Sequence, residues 1–192
     1  MKQPPEDLVQ KLIEASNQFA GTGLDLSVDE VAQAADVPRA TLYYYFSGRD
    51  DLVDFYLSYK LDSMSEAMQK AAATEGTVVE RLDRCIRAEL HSMAAQPALC
   101  TELPEALRRA KDNFSEVALK ADAVMRQPIR DLLIEGTANG ELNVPDVDLV
   151  IDAINGAVGQ VALIRLTMTG ELDADGVADT LVPLMISGLS KR

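Results

Sequence analysis

The segment from Ser27 to Leu52, SVDEVAQAADVPRATLYYYFSGRDDL, constrains the fold more than any other, because it spells two short helices joined by a tight turn and followed by a third. Ser27 predicts an N-cap that accepts the backbone N–H three residues on. Glu30 stands where a capping box needs a carboxylate reaching back. Val28, Val31, Ala32 and Ala35 then share one apolar stripe. Asp36-Val37-Pro38 closes that helix and opens the next, since a proline in the first turn gives up an N–H that has no helical partner. Arg39 to Phe46 reads as the second helix. Ser47, with Asp50 three residues on, repeats the cap signal and predicts a longer helix carrying Leu52, Val53, Tyr56, Tyr59 and Met64. The outline is a helix-turn-helix.

At about 100° per residue, Leu42 and Phe46 fall on one side of the second helix, while Ala40 and Tyr44 lie nearly opposite with Thr41 and Tyr43 beside them. One face packs and the other is offered outward. A solvated face would carry Lys and Glu. This one carries Arg39, Ala40, Thr41, Tyr43 and Tyr44, a set suited to a DNA groove. Small Ala40 permits close approach, arginine forks onto guanine, and apolar and hydroxyl groups meet thymine methyls and phosphates.

From Leu8 to about Lys60 the chain resembles the DNA-binding domain of the tetracycline-repressor (TetR) family of bacterial one-component regulators. The matching pieces are LVQKLIEASNQFAGTG, SVDEVAQAADV, RATLYYYF and GRDDLV. The resemblance implies that Ser27, Tyr43, Tyr45 and Arg49 touch phosphates and that Arg39, Ala40, Thr41 and Tyr44 face the bases. It implies repression of transcription, relieved when a small molecule binds. Two departures stand out. Pro38 replaces the usual small hydroxyl residue at the start of the recognition helix, which removes one backbone donor to phosphate, and Ala40 stands where glycine is common.

Charge argues against a strong electrostatic grip. The net charge is −13 and the pI about 4.4, whereas nucleic-acid binders usually show a basic face. Residues 1 to 60 hold Lys2, Lys11, Arg39, Arg49 and Lys60 against ten acids, a balance of −5. Most of those acids sit in first turns of helices, where they complement the macrodipole, and Arg39 and Arg49 bracket the contact face. Two arginines per subunit would neutralise about four phosphates in a dimer, giving a salt slope of roughly −3 to −4. The reading is one of weak non-specific binding and reliance on shape and base contacts. The competing reading is a DNA-inert helical dimer that carries a small molecule or docks another protein.

A chain of 192 residues with 47% hydrophobic residues reads as all-α. Apolar residues recur at three- and four-residue steps and hardly ever alternate. The expected organisation is an N-terminal three-helix helix-turn-helix domain over 1–60, its last helix continuing to about 73, and a C-terminal helical effector-binding and dimerisation domain over 61–192. Met1-Lys2-Gln3-Pro4-Pro5 leads straight into an amphipathic helix with no signal peptide, so a cytoplasmic protein is expected. Cys85 and Cys100 are too few and too separated for a metal knuckle and read as buried thiols.

Thr77-Val78-Val79-Glu80 is a second capping box, and Val78, Val79, Leu82, Ile86, Leu90 and Met93 form a stripe that stops before Pro97. A loop or short helix is expected over Ala98 to Ala110, then a longer helix from about Phe114 to Ala138, ended by Gly136 and Asn139-Gly140. Pro128 inside it removes the bond to Val124 and predicts a kink or break. Val147 to Leu166 is apolar nearly all round, with Gly156, Ala157 and Gly159 in its middle. Its length suits a membrane span, but Asp148, Asp152, Asn155, Gln160 and Arg165 would be costly in lipid. A homodimer off the membrane is the preferred reading, in which this helix and Asp173 to Leu189 pair with their copies through Ile154, Gly156, Ala157, Val161, Leu181 and Met185. In the resembling family the carboxyl-terminal helix pair makes this contact, and a dimer supplies the two half-sites of a palindromic operator in double-stranded DNA.

The resemblance also implies a small-molecule cavity among the helices of residues 78 to 168. Leu90, His91, Met93, Phe114, Met125 and Met168 are the lining candidates, since methionine and aromatic side chains adapt to varied ligands. Core packing explains each of them equally well. No cofactor, metal site or catalytic residue is expected. One histidine, no Gly-rich phosphate loop and no GxSxG leave nucleophilic and metal chemistry without their usual parts. Cys85 and Glu89 share a helix face, but His91 points elsewhere.

Overall fold

The computed structural model describes residues 4–17, 27–109 and 116–189. Phe114 and residues 18–23 of the opening motif lie outside them. Among the described residues the chain is helical throughout, without strands. The elements are α1 (Glu6–Asn17), α2 (Val28–Ala34), α3 (Arg39–Tyr45), α4 (Arg49–Ala73), α5 (Val78–Ala95), α6 (Ala98–Thr101), α7 (Leu103–Arg109), α8 (Glu116–Ala121), α9 (Gln127–Asn139), α10 (Val147–Thr169) and α11 (Ala174–Leu189).

The N-terminal helices close around Leu8, Leu12, Val31, Leu42, Phe46, Leu52 and Val53, all buried. Ser27 and Glu30 form the expected capping box on α2. The turn into α3 is made at Asp36, whose φ of 51° is left-handed. Aspartate tolerates that region better than most residues because its short polar side chain bonds locally. The start of α4 differs from expectation. Gly48, not Ser47, precedes the helix, which shifts the back-reaching carboxylate to Asp51, on which the Ser47 N–H donates at 2.9 Å. Helix α4 continues unbroken to Ala73 and is tied to α1 by the buried Tyr56 hydroxyl, which donates to the Leu12 carbonyl at 2.9 Å. One rigid rod thus runs from the helix-turn-helix into the rest of the molecule.

Helix α5 lies at the centre, packed against α4, α9, α10 and α11. Thr77 and Glu80 cap it reciprocally. The long helix expected from about Phe114 is divided by a π-helical turn over Asp122–Arg126, after which α9 carries Pro128 in its first turn. Proline offers no N–H to the Val124 carbonyl, and the widened turn absorbs that loss. Gly140, with φ 81°, ends α9 in the left-handed region.

Gly136 does not end that helix but sits buried inside it. A Cβ there would fall 2.7 Å from Leu142 Cδ1 and 2.9 Å from Val78 Cγ1. Gly136→Ala is therefore expected to cost about 1–3 kcal/mol through overpacking, read as a lower denaturant midpoint at unchanged slope. A midpoint equal to wild type would show that Leu142 moves aside freely.

Helix α10 is capped by Asp146, which accepts the Leu149 N–H at 3.1 Å, and ends at left-handed Gly170. Asp173 precedes α11 and accepts the Gly176 N–H at 3.0 Å. By length and composition α10 is apolar enough to cross a membrane, yet Ile151, Ile154, Val158 and Ala162 are buried against the bundle. Its opposite side leaves Leu149, Ile164 and Met168 exposed, as α11 leaves Leu184.

Candidate DNA-reading face and effector cavity

Helix α3, the expected recognition helix, is anchored by Leu42 and Phe46, both fully buried. Phe46 lies edge-on to Phe55 of α4 at 5.4 Å between centroids. That anchoring turns Arg39, Ala40, Tyr43 and Tyr44 to solvent, with Thr41 and Tyr45 at the margins. Tyr43 and Tyr44 are more than half exposed, far more than burial of their apolar rings would favour in an isolated chain. Tyr44 and Tyr45 meet edge to face at 5.0 Å, which stiffens both. Ser27 sits exposed at the start of α2, engaged with Glu30. The Glu30 carboxyl is held below its ordinary range by hydrogen bonds from the Ser27 side chain and backbone.

The two arginines differ. Arg39 Nη1 lies 2.7 Å from Asp29 of α2, and its side chain is 68% exposed. An ion pair this exposed is worth about 0–1 kcal/mol, so the guanidinium can leave it at little cost. Arg49 turns instead toward the α6–α7 junction, with Nη2 3.4 Å from Glu102. Nearby, Arg109 of α7 reaches Asp54 at 3.2 Å and Asp50 at 3.6 Å. Burial pushes the Asp54 carboxyl up, against the pull of Arg109. The start of α4 is thus tied ionically to α6 and α7, a connection that sequence spacing had no means of showing.

A cavity of about 530 Å³ opens between α6, α7, α8, the π-helical turn over Asp122–Arg126 and α10, with Met93 of α5 at its inner side, within the size range of small-molecule sites. Leu99, Leu103, Leu107, Met125 and Leu163 form much of its wall, and Gly156 and Gly159 let it run close along α10. Asp122, Arg126, Asp152, Asn155 and Gln160 supply the polar part. Arg126 pairs with Asp122 at 2.9 Å and with Asp152.

Of the six expected lining residues, Met93 and Met125 reach this cavity. Leu90 is fully buried in the core, and Met168 is exposed near the end of α10. His91 is at the surface, where Nε2 meets Asp175 of α11 at 3.0 Å beside the pairs of Arg87 with Asp83 and Asp179. It helps fasten α5 to α11. The segment expected as a loop or short helix over Ala98 to Ala110 forms α6 and α7 and provides a large share of the wall. Its Leu-x-x-x-Leu-x-x-x-Leu spacing at 99, 103 and 107 was the available signal.

Of the residues expected at a dimer contact, Gly156 is exposed, and Ala157, Val161, Leu181 and Met185 are half-buried. Ile154 packs into the subunit's own core, because it falls on the α10 face shared with Ile151 and Val158. Both cysteines are buried and free.

Residues 12–54 match the family described as bacterial regulatory proteins, tetR family, and residues 75–189 match the tetracyclin repressor-like C-terminal domain. The chain is 23% identical over 197 residues to the fatty acid metabolism regulator protein of Bacillus subtilis, covering all of both chains. It is 25% identical over 183 residues to the HTH-type transcriptional repressor KstR2 of Mycolicibacterium smegmatis, covering 92% of this chain and 87% of that one. The fold is that of the FadR regulator from Bacillus subtilis solved in complex with stearoyl-CoA, with a TM-score of 0.74 at 21% identity over 95% of this chain and 97% of that one. The outward face of α3, the long linking α4 and the two matched segments agree: the chain belongs to the tetR family of bacterial regulatory proteins.

Proposed function

We propose that the protein is a cytoplasmic homodimeric repressor that holds a palindromic operator through two copies of α3 and is released when a small molecule enters the cavity beside α6 and α7. The observation that carries this reading is the exposed Arg39, Ala40, Tyr43 and Tyr44 face on a helix whose other side is fixed by Leu42 and Phe46. Thr41, Tyr45 and Ser27 complete the contact surface. Arg49 belongs both to the phosphate contacts and to the signal path, because its partner Glu102 lies between two stretches of the cavity wall. An occupant that displaces α6 and α7 would pull on Arg49 and on the Asp50 and Asp54 side chains held by Arg109. It shifts the equilibrium only by its differential affinity for the two arrangements.

The effector class suggested by the relatives' names and by the apolar wall is a molecule with a substantial hydrocarbon body, an acyl thioester or a ketosteroid. The test is selection of bound duplexes by the full chain at two salt concentrations, followed by titration of the retained complex with acyl-CoA thioesters of graded length. A palindrome with a salt slope of roughly −3 to −4, and release by at least one chain length, is expected. Glu102→Gln should keep operator binding while weakening release. Failure to retain any duplex at low ionic strength overturns the repressor reading.

A further inference from the structure

Glu89 is out of place among the leucines, isoleucine and methionine of the α5 core stripe. It is wholly buried, and neither carboxylate oxygen has a hydrogen-bond partner. An unpaired ionised carboxylate in such a place is far costlier than a protonated one, and burial accordingly pushes its pKa up to about 8. The titratable groups facing it are Cys85, one turn earlier on α5, and Cys100 of α6. Burial, reinforced by the Glu89 carboxylate, raises both thiols, to about 12 and about 11 respectively. Neither offers it a compensating positive charge.

Its position gives it a use. Met93, one turn further along α5 on the same side, and Cys100 both line the cavity, so Glu89 lies one layer behind that wall. In the same cavity wall, Asn155 of α10 presents a buried Oδ1 that likewise has no partner. The cavity wall thus carries one unpartnered acceptor in Asn155, and a second unpartnered group, Glu89, lies next to the lining residues Met93 and Cys100. A plain hydrocarbon end would leave both unsatisfied.

We propose that Glu89 and Asn155 form the inner polar end of the cavity, and that the effector is an apolar molecule carrying a hydroxyl at the end it inserts, which displaces the flexible Met93 side chain to reach Glu89. The hydroxyl donates to the Asn155 Oδ1 or a Glu89 oxygen and accepts from the protonated carboxyl, while an anionic group elsewhere on the ligand would reach Arg126 only by displacing Asp122 or Asp152 from it. The inference rests on the effector-cavity reading and narrows it to hydroxylated ligands.

Decanoic acid and 10-hydroxydecanoic acid differ only in that donor. Calorimetric titration of the full chain should show the hydroxy acid binding about tenfold more tightly, the worth of one net hydrogen bond. Glu89→Gln, which keeps a carbonyl acceptor, should retain the preference; Glu89→Leu should lose it while still binding decanoic acid. Equal binding of the two acids to wild type, or a preference that survives Glu89→Leu, overturns the inference and leaves the cavity standing as an effector site. Binding of neither acid overturns the inference, and the effector-cavity reading then stands or falls on the acyl-CoA titration. Stability gives a further check that needs no ligand. A carboxyl whose folded pKa is raised contributes stability present below its unfolded value and lost as pH rises toward about 8. Wild type should therefore lose stability relative to Glu89→Gln between pH 5 and 8, and parallel profiles would show that the carboxyl is hydrated rather than waiting for a partner.

Discussion

Replacing Arg39 and Tyr44 together by alanine is expected to abolish operator binding without disturbing the fold. Both side chains project from α3 into solvent, and neither contributes to the core that Leu42 and Phe46 fill. Losing the Arg39 ion pair with Asp29 costs about 0–1 kcal/mol at such exposure, and other exposed substitutions stay within about 0.5 kcal/mol. On DNA the balance reverses. Each good base contact is worth about 1–3 kcal/mol, and a dimer loses two such contacts in each half-site, so affinity should fall by more than about 10³-fold. Little remains to compensate, because the reading domain is acidic and its non-specific attraction to phosphate is small. Fluorescence anisotropy with the selected operator measures the loss, and circular dichroism verifies the helices. A decrease of less than tenfold would mean that α3 is not the reading element. Leu42→Ala makes the contrasting case, since it should lose binding by unloading the core and lower the melting temperature as well.

Much of this architecture was legible in the sequence because it is governed by local chemistry. Capping boxes at Ser27 and Thr77 fix two helix starts within three residues of chain, and the alternation of buried Leu42 and Phe46 with exposed Tyr43 and Tyr44 follows from helical period alone. The start of α4 was misread by one residue because a Ser-x-x-Asp pattern and a Gly-x-x-Asp pattern overlap at Ser47 and Gly48, and only the backbone decides between them. The cavity was mostly illegible. Leu90 and Met93 occupy the same stripe, and periodicity could not tell which of them reaches an internal void and which fills the core. His91 drew attention as the only histidine, but its partner Asp175 lies on a helix more than eighty residues away. The same holds for Arg49 and Glu102. Long-range ion pairs leave no trace in spacing, and those of Arg49 and Arg109 tie the start of α4 to the α6–α7 segment that walls the cavity.

Placing glutamate at both Ile164 and Leu184 is expected to convert the dimer to monomers and, through that change alone, to remove binding to a full palindrome. In the single subunit Ile164 is 48% exposed and Leu184 68%, so neither substitution disturbs the subunit's own core. Only 22% of the most apolar stretch of α10 is buried within the chain, and contiguous exposed apolar surface of this kind marks a contact with another molecule. Two-fold pairing of α10 and α11 would cover it and form a four-helix contact. Four carboxylates would then enter one apolar interface without partners, at several kcal/mol each, on subunits that already repel through a net charge of −13. Operator binding should follow the loss of pairing, because two tethered half-sites gain an effective concentration that separate monomers lack, commonly a factor of about 10²–10⁴. Sedimentation equilibrium reads the first effect and anisotropy with full and half operators the second. The variant should match wild type on a half operator and fall behind only on the full one. A dimer that persists with both glutamates in place would assign this apolar face to something other than a second copy of the chain.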